Sequence, residues 1–72
     1  MKPTKWTSNL ARNVRLRRHE LSMSQESLAQ QAAIDVRYLG GIERAQRNPS
    51  LDVIVRVSLA LGVTPVDLLA DI

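Results

Sequence analysis

Residues 24–51 read SQESLAQQAAIDVRYLGGIERAQRNPSL, and this stretch decides the fold. Ser24 is a residue type that commonly caps a helix, and it precedes a run to about Ala32 with apolar residues at helical spacing. Asp35 can cap a second such run that ends near Arg44. Because so few residues separate the two runs, the stretch predicts two short helices joined by a tight turn.

The helical pattern continues on the N-terminal side of this stretch. Thr7 or Ser8 can cap a first helix that ends near Glu20 or Leu21. The side chains expected to face the core are Leu10, Val14, the stem of Arg17 and Leu21 on the first helix, Leu28, Ala29 and Ala32 on the second, and Leu39 and Ile42, with Tyr38 at the edge, on the third.

On the C-terminal side, the polar segment 45–49 contains a proline and predicts an exposed loop. A fourth helix is expected from Ser50 to a stop at Gly62, and Thr64-Pro65-Val66-Asp67 opens a fifth. No alternating strand pattern occurs. The sequence therefore predicts an all-α fold of five helices, as one domain over residues 1–72 with a short N-terminal arm, residues 1–7.

Composition narrows the possible functions. The net charge is +3, and the chain to Arg47 holds nine basic against four acidic residues, whereas the remainder holds one against three. This asymmetry suits a polyanionic partner, although a solvated basic face would give the same balance. The chain has no cysteine, and its one histidine, His19, lies among arginines on a predicted surface. We therefore expect no catalysis, no metal, no cofactor and no small-molecule ligand.

Several motifs at coherent spacing resemble one known family. They are Ser24 to Ala29, Ile34 to Leu39, Ile42-Glu43-Arg44 and Asn48-Pro49-Ser50-Leu51. Together they resemble the helix-turn-helix domain of phage repressor and Cro proteins, the XRE family, over about residues 8–70. Within it, residues 35–48 are most similar to the small controller proteins of restriction-modification systems, which are dimers of this size. Ala33 and Ala45 replace glycines common in the family, so we expect small shifts of the local backbone there.

The resemblance implies a double-stranded DNA-binding regulator whose recognition helix, residues 35–44, enters the major groove. By position, the base-contacting residues are Val36, Arg37, Gly41 and Arg47, the phosphate-contacting residues are Ser24, Gln25, Arg44 and Asn48, and the structural ion pair is Arg18 with Glu43. Arginine can bridge two guanine acceptors, and valine suits a thymine methyl group. The alternatives are that Ser24 is only a cap and that the arginines are ordinary exposed charges.

Gly40 and Gly41 are unusual inside a helix, where each costs about 1 kcal/mol relative to alanine. Two explanations stay open. Their missing side chains let the helix approach the groove closely, or they permit tight helix packing.

The last ten residues are rich in apolar side chains, and we expect Val63, Val66, Leu69 and Ile72 to form a homodimer interface. A two-fold dimer would place two recognition helices roughly 34 Å apart and predicts a pseudo-palindromic site. The alternative is that this stripe only closes the core of the monomer.

Two other functions remain compatible with the sequence. An antitoxin would bind a toxin protein and regulate its own promoter, and an adaptor would lack specific DNA binding. No apolar run is long enough to cross a membrane, so a cytoplasmic protein is expected.

Overall fold

The computed structural model describes residues 2–71, and this part of the chain is all α-helical, as predicted. It contains no strand and no helix long and apolar enough to cross a bilayer. The helices are α1 (Lys5–Glu20), α2 (Gln25–Ala32), α3 (Val36–Glu43), α4 (Leu51–Leu61) and α5 (Pro65–Leu69).

A side-chain oxygen caps the start of every helix. The caps of α2 to α5 are the predicted Ser24, Asp35, Ser50 and Thr64. The predicted cap of α1 was wrong: Thr4 accepts from the Thr7 backbone N–H at 3.1 Å, and Thr7 is the reciprocal residue of a capping box. The two predicted caps, Thr7 and Ser8, lie inside α1, so the helix starts earlier than predicted. Lys5, Trp6 and Thr7, which were predicted to belong to the arm of residues 1–7, are therefore helical.

The first four helices end in the same way. In each, a residue with positive φ follows the helix, and the next N–H donates to the carbonyl five residues back, which is a Schellman motif. Gly62 supplies this conformation after α4, whereas Ser22, Ala33 and Ala45 supply it after α1, α2 and α3. Ala33 and Ala45, which stand where the family often has glycine, thus adopt the left-handed conformation that glycine favours.

The core lies where all five helices meet. Its buried members include the predicted Leu10, Val14, Leu28, Ala29, Ala32, Leu39 and Ile42, joined by Val57, Leu61 and Leu68. Tyr38 packs at its edge, as predicted. Leu21 was wrongly placed in the core: it follows the last turn of α1 and is 40% exposed. In the loop before α4, Pro49 is buried rather than exposed.

Polar side chains of α1 bind the carbonyl ends of other helices. Asn13 Nδ2 donates to the carbonyls of Leu68 and Ala70, each at 2.9 Å. Arg17 Nε donates to the Leu61 carbonyl at 3.0 Å. These carbonyls have no partner within their own helices. The polar face of α1 thus fixes where α4 and α5 end.

Candidate DNA interface

The N-terminal end of α3 is fixed by the turn that precedes it. Arg56 Nη1, on α4, donates to the Ala33 carbonyl at 3.0 Å and ties α4 to this turn. Asp35 caps α3 by accepting from the Arg37 N–H at 2.7 Å. The start of α3 therefore has a defined position relative to α2 and α4.

The C-terminal end of α3 is held by the buried pair Arg18 and Glu43, which the structure brings together as the resemblance implied. Arg18 Nε and Nη2 donate to the two Glu43 oxygens at 2.8 and 2.9 Å. The side chains are only 11% and 3% exposed. The hydrogen bonds that Arg18 donates to Glu43 raise the pKa of Arg18, so its guanidinium stays charged. Arg15 Nη1 also donates to the Glu43 carbonyl.

The N-terminus of α2 lies beside this pair. Gln25 is partly buried, and its Nε2 donates to Glu43 Oε1 at 3.0 Å, which leaves one amide hydrogen free. Ser24 Oγ accepts from the Ser27 N–H at 3.0 Å, so its hydroxyl hydrogen is also free. Ser24 and Gln25, two of the four predicted phosphate-contacting residues, therefore keep a donor at a helix end that favours anions.

Arg37 extends from the first turn of α3 into solvent. Its Nε and Nη2 lie 3.4 Å from the two oxygens of Asp35, and its side chain is 90% exposed. The hydrogen bonds from Arg37 hold the pKa of Asp35 below its usual value. These long, exposed contacts orient the guanidinium weakly and can be exchanged for a ligand.

The two glycines of α3 lie under arginine side chains. A Cβ on Gly41 would lie 2.7 Å from Arg47 Cγ, and one on Gly40 would lie 3.0 Å from Arg44 Nη1. Gly41 is buried, so its predicted role as a base-contacting residue is not supported by this arrangement. Gly41 is covered because Arg47 folds back over α3, with its guanidinium carbon 5.8 Å from the centre of the Tyr38 ring.

Several predicted residues meet around one shallow cleft of about 270 Å³ between α2 and α3. Its lining residues are Gln25, Val36, Arg37, Gly40 and Arg44. Arg44 and Asn48 are exposed, and Arg44 Nε donates to Gln46 Oε1 at 3.0 Å. The cleft and its surroundings thus combine the free donors of Ser24 and Gln25 with one apolar side chain, Val36. Three exposed guanidiniums, those of Arg37, Arg44 and Arg47, complete the set.

The predicted dimer residues differ in their exposure. Val66 is 76% exposed, whereas Val63 and Leu69 are partly buried against the monomer's own core. Ile72 lies outside the described residues. The sequence analysis did not single out Leu51 and Leu59 on α4, which are 70% and 74% exposed. Exposed apolar surface is therefore present on both α4 and α5.

Sequence reasoning also missed the residues that hold the interface from behind. Arg15 bonds to the Glu43 carbonyl at the end of α3, and Arg56 bonds to the Ala33 carbonyl in the turn before α3, but in the sequence both look like ordinary surface charges. Helical periodicity indicates which face a residue occupies and not which helix end lies opposite. No signal short of a three-dimensional arrangement would have found them.

The family comparisons agree with this geometry. The family model described as helix-turn-helix matches residues 14–68. Control protein C.BamHI of Bacillus amyloliquefaciens is 48% identical over 54 residues, which cover 75% of this chain and 67% of that protein.

Two solved structures are also similar. The restriction-modification controller protein C.AhdI from Aeromonas hydrophila has a TM-score of 0.83 at 37% identity, covering 86% of this chain and 94% of that one. The controller protein C.Esp1396I, solved as a tetramer in complex with its natural 35 base-pair operator, has a TM-score of 0.80 at 30% identity, covering 88% and 83%. The chain belongs to the helix-turn-helix family and, within it, is a relative of the restriction-modification controller proteins.

Proposed function

We propose that this chain is a transcriptional regulator that binds a pseudo-palindromic operator as a dimer and controls a restriction-modification system. One observation carries the proposal: Arg37, Arg44 and Arg47 are all exposed along α3 and the loop after it, beside the N-terminus of α2. This is the arrangement that a duplex requires, with base-reading groups flanked by groups that neutralise phosphates. Such a function places the protein in the cytoplasm, with the DNA that it regulates.

The N-terminal turn of α3 is the part that reads bases. Arg37 can exchange its long contacts with Asp35 for the two acceptors of a guanine. Val36 is 36% exposed and lines the cleft, where its methyl groups can contact a thymine methyl group. We assign sequence preference to these two residues together with Arg47.

The N-terminus of α2 and the loop after α3 hold the DNA backbone. Ser24 and Gln25 keep free donors where the dipole of α2 favours a phosphate. Arg44, which lines the cleft, and Asn48, in the loop after α3, are exposed. These contacts fix the position of α3 in the groove without reading sequence.

Dimerisation places two such surfaces on one DNA site. On α4 and α5 the exposed large apolar side chains are Leu51, Leu59 and Val66, and they can form the contact. The related C.Esp1396I assembles on its operator as a tetramer, which supports an oligomeric regulator here. Two half-sites roughly one helical turn apart are the expected target.

Footprinting on the DNA upstream of the protein's own gene tests the proposal. We expect a protected pseudo-palindrome, and reversal of charge at Arg37, Arg44 and Arg47 together abolishes protection while the circular dichroism spectrum stays helical. Lys5→Ala is the control, because Lys5 pairs with Asp71 at the first residue of α1, whereas the contacts of α1 with Glu43 come from Arg15 and Arg18 near its other end. A folded triple variant that protects the site as well as the parent would refute the proposal.

A further inference from the structure

Arg47 is an exposed arginine of the interface whose aliphatic stem packs on the protein itself. Its Cγ, Nε and Cδ are the atoms nearest to the position of a Cβ on Gly41, at 2.7, 3.2 and 3.5 Å. Its guanidinium carbon lies 5.8 Å from the centre of the Tyr38 ring. Tyr38 and Gly41, one turn apart on α3, therefore form one surface under Arg47, which we term the Arg47 platform.

The platform depends on the absence of a side chain at position 41. A contact at 2.7 Å is closer than a Cβ tolerates, so any L side chain there displaces the stem of Arg47. The backbone at Gly41 does not otherwise require glycine, since Gly41 has no positive φ and lies inside α3. Glycine is unfavourable in a helix interior, and Arg47 accounts for its presence.

The backbone around the platform is also ordered. The Gln46 N–H donates to the Gly41 carbonyl at 2.8 Å, which closes the helix end directly before Arg47. Arg47 therefore leaves the chain at a defined point and returns across α3. A guanidinium held in this way loses less conformational entropy when it binds DNA than one that moves freely in solvent.

We infer that Gly41, with the ring of Tyr38, is a positioning residue for DNA recognition: it contacts no DNA and holds the Arg47 guanidinium in the place from which Arg47 binds. This inference rests on the proposed function, because it requires Arg47 to contact the operator. For Gly41, this inference replaces both explanations that the sequence left open, close approach to the groove and tight helix packing. The missing side chain instead makes room for an arginine.

A double-mutant cycle on the footprinted operator duplex tests the inference. Gly41→Ala should weaken binding by about fivefold or more, the lower end of what a well-placed contact contributes, while its melting temperature stays the same or rises. In the Arg47→Ala background, the same substitution should leave affinity unchanged. The Arg47 Nε–H resonance of the free protein should also shift on Gly41→Ala, because the side chain leaves the Tyr38 ring.

Gly40→Ala is the matched control, because it makes the same helix-favouring change but meets only the flexible tip of Arg44 at 3.0 Å. We expect it to weaken binding less than Gly41→Ala does. An equal loss in the two variants, or a loss on Gly41→Ala that persists without Arg47, would overturn the inference. If the parent protein protects no operator, the proposed function fails instead, and the resonance shift still reports whether the platform exists.

Discussion

Substitution of Glu43 by alanine tests the energetic basis of the interface. Glu43 is 3% exposed and accepts two hydrogen bonds from Arg18, which is 11% exposed, and one from Gln25. Removing one partner of a buried pair costs about 3–5 kcal/mol because it leaves the other charge without compensation. Since Arg18 still donates to the Met23 carbonyl, we expect the lower end, about 3 kcal/mol.

That loss is large for so small a domain, whose total stability is about 4–11 kcal/mol. Urea unfolding followed by circular dichroism measures it, and the melting temperature should fall by about 12–24 °C. The double variant Arg18→Met with Glu43→Met should recover most of the loss, because no charge remains buried. A Glu43→Ala variant destabilised by less than about 1 kcal/mol, the value of an exposed pair, would refute the reasoning.

Four further predictions concern separate features. Ala33→Gly and Ala45→Gly should each raise the free energy of unfolding by about 0.5–1 kcal/mol in thermal unfolding, because alanine is strained at positive φ. Ala60→Gly, inside α4, is the control and should lower the free energy of unfolding. A loss of stability in all three variants would contradict the positive φ at Ala33 and Ala45. Arg44→Ala should reduce the slope of log affinity against log salt by about 0.9 in a titration of operator binding, and an unchanged slope would remove Arg44 from the phosphate contacts. Asp35 and Asp67 have lowered pKa values in the folded state, so their contribution to stability is present above about pH 4 and is lost as the pH falls through their folded-state pKa values. In the double variant Asp35→Asn with Asp67→Asn, the midpoint of urea unfolding should therefore fall less steeply as the pH is lowered. An unaltered pH dependence of the midpoint would argue against this contribution. Leu59→Glu with Val66→Glu should shift sedimentation from dimer to monomer, whereas a variant that still sediments as a dimer would place the interface elsewhere.

The fold was largely predictable because its signals are local. A cap, an apolar period and a stop specify each of α2, α3 and α4, and a cap specifies the start of α5, and the structure places those boundaries within about one residue of expectation. The start of α1 was misplaced because Thr4, Thr7 and Ser8 are all capping residue types, and only the capping box distinguishes Thr4. Alanine in place of glycine at two helix ends gave no sequence signal for positive φ, which the Schellman motif imposes there on Ala33 and Ala45.

The site was predictable in composition but not in arrangement. Gln25, Arg37 and Arg44, which the resemblance assigned to DNA contact, line one cleft in the structure. Gly41 was assigned a direct role, because the sequence does not reveal that Arg47 folds back over α3. Side-chain paths of flexible residues depend on what lies beneath them, which periodicity does not encode.

The orientation of α3 is determined by groups behind the surface that would meet DNA. Arg56 fixes the turn before α3, and Arg18 and Arg15 fix its end through Glu43. Each of these arginines is bound to a protein acceptor. Among the exposed arginines, Arg37 and Arg44 bond, within the described residues, only to side chains two residues away, Asp35 and Gln46. The arginines around α3 thus differ by partner. Arg15, Arg18 and Arg56, bound to a backbone carbonyl or to the buried Glu43 carboxylate, set the geometry of the recognition helix, and those with weak local partners remain available to a polyanion. A positive charge count alone therefore could not identify the interface.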